Sequence, residues 1–141
     1  MAIVYFDSSA FVKLVVQEDG SDVAAALWDG CDAAVSSRLA YPEVRAALAA
    51  AVRAHRLDAE SGLRASAAWE EYWAATQAVE LTEAVTAEAG ELAAQHTLRG
   101  ADAVHLASAV TIGAAETLFA VWDQRLHSGA VEVGLQVAPV N

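Results

Sequence analysis

Four acidic residues sit at or near expected helix starts, and together they could hold a divalent cation. Asp7 directly follows the apolar run Ile3-Val4-Tyr5-Phe6. Glu43 lies near the start of a long helical stretch, Asp102 opens a helix after Arg99-Gly100, and Asp123 directly follows Thr117 to Trp122. Each acid alone has an ordinary explanation: Asp7, Asp102 and Asp123 suit helix N-caps, and Glu43 suits the positive end of a helix dipole. The set is harder to explain that way. If the helix starts converge, carboxylates about 4 Å apart repel by roughly 4 kcal/mol at an effective dielectric near 20. Such crowding needs compensation, and an all-oxygen donor set selects magnesium or manganese. A cation held there can polarise a phosphodiester, lower the pKa of an attacking water and stabilise the leaving oxygen. No Walker or GxGxxG loop and no convincing Ser–His–Asp pattern offers a competing chemistry.

The elements that must position these acids alternate. Ile3 to Phe6 is β-branched and aromatic and reads as a buried strand. Asp7-Ser8-Ser9 then leads into a helix from Ala10 to Gln17. Asp22 to Trp28 is a short helix ended near Gly30, and Ala33 to Ser36 a second strand. A long helix is expected from about Ser37 to His55, with Pro42 in its first turn and Val44, Leu48 and Val52 on one face. Asp58 begins a helix to about Trp73, Val79 to Leu81 is a short strand, and Thr82 caps a helix to about Gln95. The remaining expectations are a helix over Ala101 to Ile112, a strand over Thr117 to Trp122, a helix over Gln124 to Val133 and a last strand over Leu135 to Ala138. Strands alternating with helices imply a parallel sheet covered on both faces. Ligands bind such sheets outside the carboxyl ends of the strands, where all four acids fall.

Other residues carry two readings each. Lys13, the only lysine, lies about two turns into the first helix, placed either for a phosphate or as a solvated side chain. Arg99 is placed either for phosphate or for pairing with Asp102, and Arg125 similarly but less directly. His105 follows Asp102 by one helical turn; it reads as a hydrogen-bonded structural histidine more readily than as a member of the pocket, because Leu106 and Ala109 beside it read as core. His55, His96 and His127 show no ligand spacing. Trp69, Tyr72 and Trp73 group on one helix, as core packing or as a groove for a partner.

The bulk properties bound the answer. A chain of 141 residues suits one domain, spanning residues 1–141. One cysteine, Cys31, forms no internal disulfide. The start, Met1 to Phe6, has no basic residues and only a short apolar run, unlike a signal peptide, and no stretch is apolar enough for a membrane span. A cytoplasmic location is the expectation. The formal net charge of −11 opposes broad nonspecific binding to nucleic acid. It suits a basic protein partner, or a nuclease gripping its substrate through a few basic residues and bound cations.

The four acids lie in recognisable strings. Tyr5-Phe6-Asp7-Ser8-Ser9-Ala10-Phe11-Val12-Lys13-Leu14 resembles the opening of PIN-domain toxins of the VapC family. Pro42-Glu43-Val44-Arg45-Ala46-Ala47-Leu48 resembles their second acidic motif, Leu98 to Ala107 around Asp102 the third, and Val121-Trp122-Asp123-Gln124-Arg125-Leu126 the fourth. Order and spacing agree over essentially the whole chain, although a smaller residue or Phe is commoner where Trp122 stands. The resemblance implies a three-layer α/β/α fold with a central parallel sheet and a magnesium- or manganese-dependent endoribonuclease acting on RNA. It implies a toxin restrained by a cognate VapB-like antitoxin, and a homodimer. Carried across, Asp7 and Asp102 are the firmest metal ligands, Glu43 and Asp123 complete the acidic pocket, and Ser8 or Ser9 orients a carboxylate.

Two other functions were weighed on the residues. A phosphoryl-handling domain of the dehalogenase type would want a second Asp two residues after Asp7, where Ser9 stands, and a receiver-type domain a late lysine, which is missing from the sequence. A noncatalytic module would use the acids only as helix caps.

Overall fold

The structure, a computed structural model, describes residues 1–140. Its elements are β1 (Ile3–Phe6), α1 (Ser8–Val15), α2 (Ser21–Gly30), β2 (Ala33–Ser37), α3 (Ala40–Arg53), α4 (Ala59–Ala74), β3 (Gln77–Val79), α5 (Glu83–His96), α6 (Gly100–Ile112), a 3-10 turn (Ala114–Glu116), β4 (Thr117–Ala120), α7 (Gln124–Glu132) and β5 (Gln136–Ala138). The strands form one sheet in the order β3-β2-β1-β4-β5. Every pairing is parallel, with Tyr5 opposite Val35 on one side and Phe119 on the other. The expected three-layer α/β/α architecture with a parallel sheet is the observed one.

Period-two alternation in β1 divides the core. Val4 and Phe6 point to one face and pack with Phe11, Val44, Leu48 and Trp69 from α1, α3 and α4. Tyr5 points to the other and packs with Leu92, Leu106 and Leu126 from α5, α6 and α7. A central strand buried on both faces needs apolar bulk at every position, which is why β1 reads as a continuous apolar run. Trp69 is fully buried against Phe11 at 4.9 Å and Trp73 at 5.6 Å between ring centroids. The core reading therefore holds for Trp69, while Tyr72 and Trp73 are half-buried around it.

Several element bounds differ from the sequence reading, each for a local reason. The first helix starts at Ser8, directly after its Asp7 cap, and ends at Val15. The long helix starts at Ala40, because Ser36 and Ser37 continue β2: the Ser36 hydroxyl donates to the Phe6 carbonyl and the Ser37 N–H to the Tyr5 hydroxyl. The third strand lies two residues earlier than expected, at Gln77–Val79, set by its register with Val35 and Ser37. β4 stops at Ala120, so Val121 and Trp122 form the approach to Asp123.

The sheet is built outward from β1 in both directions. Its chain order reverses beside β1 and β4, and the crevice above their carboxyl ends is the place where such folds take ligands.

The α3–α4 hairpin supplies a stability test. A Cβ at Gly62 would stand 2.6 Å from Val52 Cγ2, whereas one at Gly90, on α5, meets nothing within 4 Å. Overpacking costs about 1–3 kcal/mol and outweighs the roughly 1 kcal/mol that alanine gains over glycine in a helix. Urea denaturation is expected to show Gly62→Ala less stable by about 1 kcal/mol and Gly90→Ala more stable by about 0.5–1 kcal/mol.

Candidate active site

Asp7 leaves the end of the central strand and caps α1, its Oδ1 accepting from the Ala10 N–H at 2.9 Å. It is 4% exposed. Burial is the main reason its pKa is pushed up to about 6; His105 and the Ala10 N–H pull it down, and the neighbouring Asp102 and Glu43 push it further up. Those opposing influences place three of the four sequence-predicted acids in one electrostatic neighbourhood.

Glu43 reaches the same place from the first turn of α3. Its Oε1 accepts from the Ser8 hydroxyl and lies 2.6 Å from His105 Nε2. Burial works against its charge, but the hydrogen bonds from His105 and Ser8, with His105 and Arg99 nearby, hold its carboxyl below the ordinary range. His105, on α6, is 2% exposed and its other ring nitrogen stands 2.8 Å from the Tyr5 hydroxyl. Both readings of His105 therefore apply: it is buried and hydrogen-bonded, and it lines the acidic pocket. Tyr5 is the residue that the sequence reading missed. Its one cue was an inward-facing position, two residues before Asp7 on β1, and only the packing of α6 on β1 gives its hydroxyl a partner.

Asp102, in the first turn of α6, pairs with Arg99 at 3.0 Å. The pairing alternative for Arg99 is thus realised. Arg99 is 80% exposed, and its pKa is raised chiefly by Asp102, with smaller pulls from Asp123 and Glu43. Asp123 caps α7 through the Leu126 N–H at 3.0 Å and is exposed. It meets Asp102 across a cleft of about 400 Å³ lined by Leu98, Arg99, Gln124 and Arg125. Asp123 therefore stands on the rim, beyond Arg99, and the other three acids lie deeper.

Of the expected supporting residues, Ser8 holds Glu43, while Ser9 is exposed. Lys13 donates to the Asp19 carbonyl at 2.8 Å and lies over the Trp122 ring at 5.1 Å, bracing the α1–α2 turn. Among the described residues, no three acid, cysteine or histidine side chains are arranged to ligate one ion. The partners above explain this: Glu43 is engaged by Ser8 and His105, Asp102 by Arg99, and Asp123 by its own helix.

The molecule is thus a three-layer α/β/α protein with an acidic site at the carboxyl edge of its sheet, beside the central strand. Its sequence matches the PIN domain over residues 4–128, and the chain belongs to the PIN-domain family. It is 62% identical over 139 residues to ribonuclease VapC45 of Mycobacterium tuberculosis strain CDC 1551 / Oshkosh, covering 99% of this chain and 96% of that protein. The figures for ribonuclease VapC49 of Mycobacterium tuberculosis strain H37Rv are the same. The fold matches the crystal structure of FitAcB from Neisseria gonorrhoeae with a TM-score of 0.70 at 16% identity, covering 95% of each chain.

Because Asp7 ionises near 3.8 when unfolded and at about 6 when folded, the native state binds its proton more tightly. Its charge therefore costs nothing below about pH 4 and up to about 3 kcal/mol above pH 6. Asn retains the cap but not the charge. Asp7→Asn, in chelator, is expected to raise stability at pH 7 by up to about 3 kcal/mol and to add little at pH 4, as read by denaturant melts at the two pH values.

Proposed function

We propose that this chain is a metal-dependent endoribonuclease that hydrolyses RNA phosphodiester bonds, the toxin of a VapBC-like toxin–antitoxin pair. The observation that carries the activity is the 62% identity, over nearly the whole chain, to two ribonucleases of the VapC type. Residues 1–141 act as one PIN domain.

The donor set fits a hard divalent cation. Asp7 is a buried carboxylate whose charge is opposed by burial and by two neighbouring acids, so a cation beside it relieves the largest electrostatic cost in the site. The ligands are all oxygen, as magnesium and manganese prefer. Asp7 and Asp102 would hold the ion, with Glu43 and Asp123 completing the pocket directly or through water. The bound cation supplies charge stabilisation at the phosphodiester and an acidified water. The protein side chains do the remaining work. Ser8 orients Glu43. Arg99, long and exposed, exchanges Asp102 for a phosphate oxygen when RNA enters. Lys13 would give a second phosphate contact only by leaving the Asp19 carbonyl.

The same acidic pocket would accept a basic side chain from a VapB-like antitoxin, and the net charge of −11 favours a basic partner segment. A homodimer acting in the cytoplasm completes the reading. No helix among the described residues is long and apolar enough to cross a membrane.

Purified protein is expected to cleave RNA with manganese or magnesium and to stop on adding EDTA. Asp7→Asn and Asp102→Asn are each expected to abolish cleavage while leaving the protein folded, and calorimetry with manganese should lose its binding heat in both. Full activity in both variants, or activity indifferent to chelator, overturns the mechanism.

A further inference from the structure

We infer that His105 is a positioning residue: its Nε2–H fixes the Glu43 carboxylate in the acidic pocket, and the Tyr5 hydroxyl holds the other edge of the ring. The inference rests on the nuclease reading for its kinetic consequence, but not for its structural content.

The geometry runs in one direction. Glu43 Oε1 stands 2.6 Å from His105 Nε2. An ionised carboxylate only accepts hydrogen bonds, so the proton between them belongs to Nε2. On the other side of the ring, Nδ1 is 2.8 Å from the Tyr5 hydroxyl oxygen. That oxygen already accepts from the Ser37 N–H at 3.0 Å, so the phenol's own proton is free to point at Nδ1. Ser36 and Ser108, whose own protons go to the Phe6 and Val104 carbonyls, also lie within hydrogen-bond reach of the Tyr5 hydroxyl. A neutral imidazole that accepts at Nδ1 carries its hydrogen at Nε2, directed at Glu43. Ser8 donates to the same carboxylate oxygen, and its own oxygen lies 3.1 Å from Nε2. Glu43 is thereby gripped from two elements, α1 and α6, with both the strand residue Tyr5 and the ring of His105 fully enclosed.

The arrangement has a cost that a purely space-filling residue would not incur. An apolar side chain could fill the volume of a histidine that is 2% exposed beside the fully buried Tyr5. What such a residue could not do is donate a hydrogen bond to a carboxylate at the pocket floor. Hydrogen-bond partners of ligating carboxylates orient them, and their loss costs about 10–100-fold in metal affinity or activity.

Two substitutions separate this role from a structural one. In His105→Gln the amide nitrogen reaches about as far as Nε2 and still donates to Glu43. In His105→Asn the amide reaches only as far as Nδ1, so it meets Tyr5 but not Glu43. The positioning role predicts that His105→Gln keeps most of kcat on an RNA substrate. His105→Asn is then expected to lose about 10–100-fold in kcat with KM for RNA little changed. A role confined to anchoring Tyr5 predicts the reverse order. The second measurement needs no activity and no folded variant. Nitrogen-15 NMR of the full-length, histidine-labelled wild-type protein in chelator should show His105 carrying a hydrogen at Nε2. A wild-type protein with the proton on Nδ1 alone, or an Asn variant as active as the Gln variant, overturns the proposal. Absence of any RNA cleavage by the wild type, with the expected tautomer present, would count against the nuclease reading and leave the hydrogen-bond assignment standing.

Discussion

The burial of the Asp7 carboxylate at the end of the central strand is the constraint around which the site is organised. A charge in that position is opposed by loss of water and by the fields of Glu43 and Asp102, and its pKa rises to about 6 in consequence. The fold compensates with what lies nearest: one backbone N–H from the helix that Asp7 caps and the His105 ring, while Arg99 pairs with the neighbouring Asp102. Each of these is partial. The Ala10 N–H satisfies one oxygen, His105 is bonded to Glu43, and Arg99 is exposed and paired with Asp102, where solvent screening weakens its reach. Under the proposed reading, that residual cost is what a bound cation would relieve.

This constraint explains why the acids come from such distant parts of the chain. A parallel sheet directs every strand's carboxyl end to the same edge, and the helices that follow start there. Asp7 follows β1, Glu43 belongs to the helix after β2, and Asp123 follows β4. Asp102 arrives differently: α6 follows another helix, α5, and its first turn is brought to the edge by packing against the β1–β2–β4 face. Thr97, left-handed at φ 55°, ends α5 and turns the chain toward α6, where Asp102 lies on the pocket side and Ala103 and Leu106 are buried on the other.

Charge has two consequences for a PIN-domain ribonuclease of this kind. A chain with a net charge of −11 does not attract RNA at long range, so contact with substrate depends on local cations. Arg99 is paired with Asp102 and lines the cleft that also holds Asp123. The same charge favours a basic partner segment.

The sequence by itself determined the sheet type and the four acids. Continuous apolar strands such as Ile3–Phe6 alternating with helices leave only a parallel sheet with two covered faces, and Asp7 is legible because an acid directly after such a strand marks its carboxyl end, whereas Val121 and Trp122 separate Asp123 from the end of β4. Element ends were less legible, since they depend on partners: Ser37 stays in β2 because its N–H finds the Tyr5 hydroxyl, and Gln77–Val79 forms the strand because of its register with β2. Tertiary structure alone decided the inner workings of the site. It set Asp123 on the rim while Asp7 sank to 4% exposure, placed Arg99 among the acids, and joined Tyr5, His105, Glu43 and Ser8 into one chain of hydrogen bonds. The physical reason is that residue type and spacing specify which edge of a sheet a side chain reaches. Burial and hydrogen bonding instead depend on what other elements, up to 100 residues away in the case of Tyr5 and His105, bring to the same point.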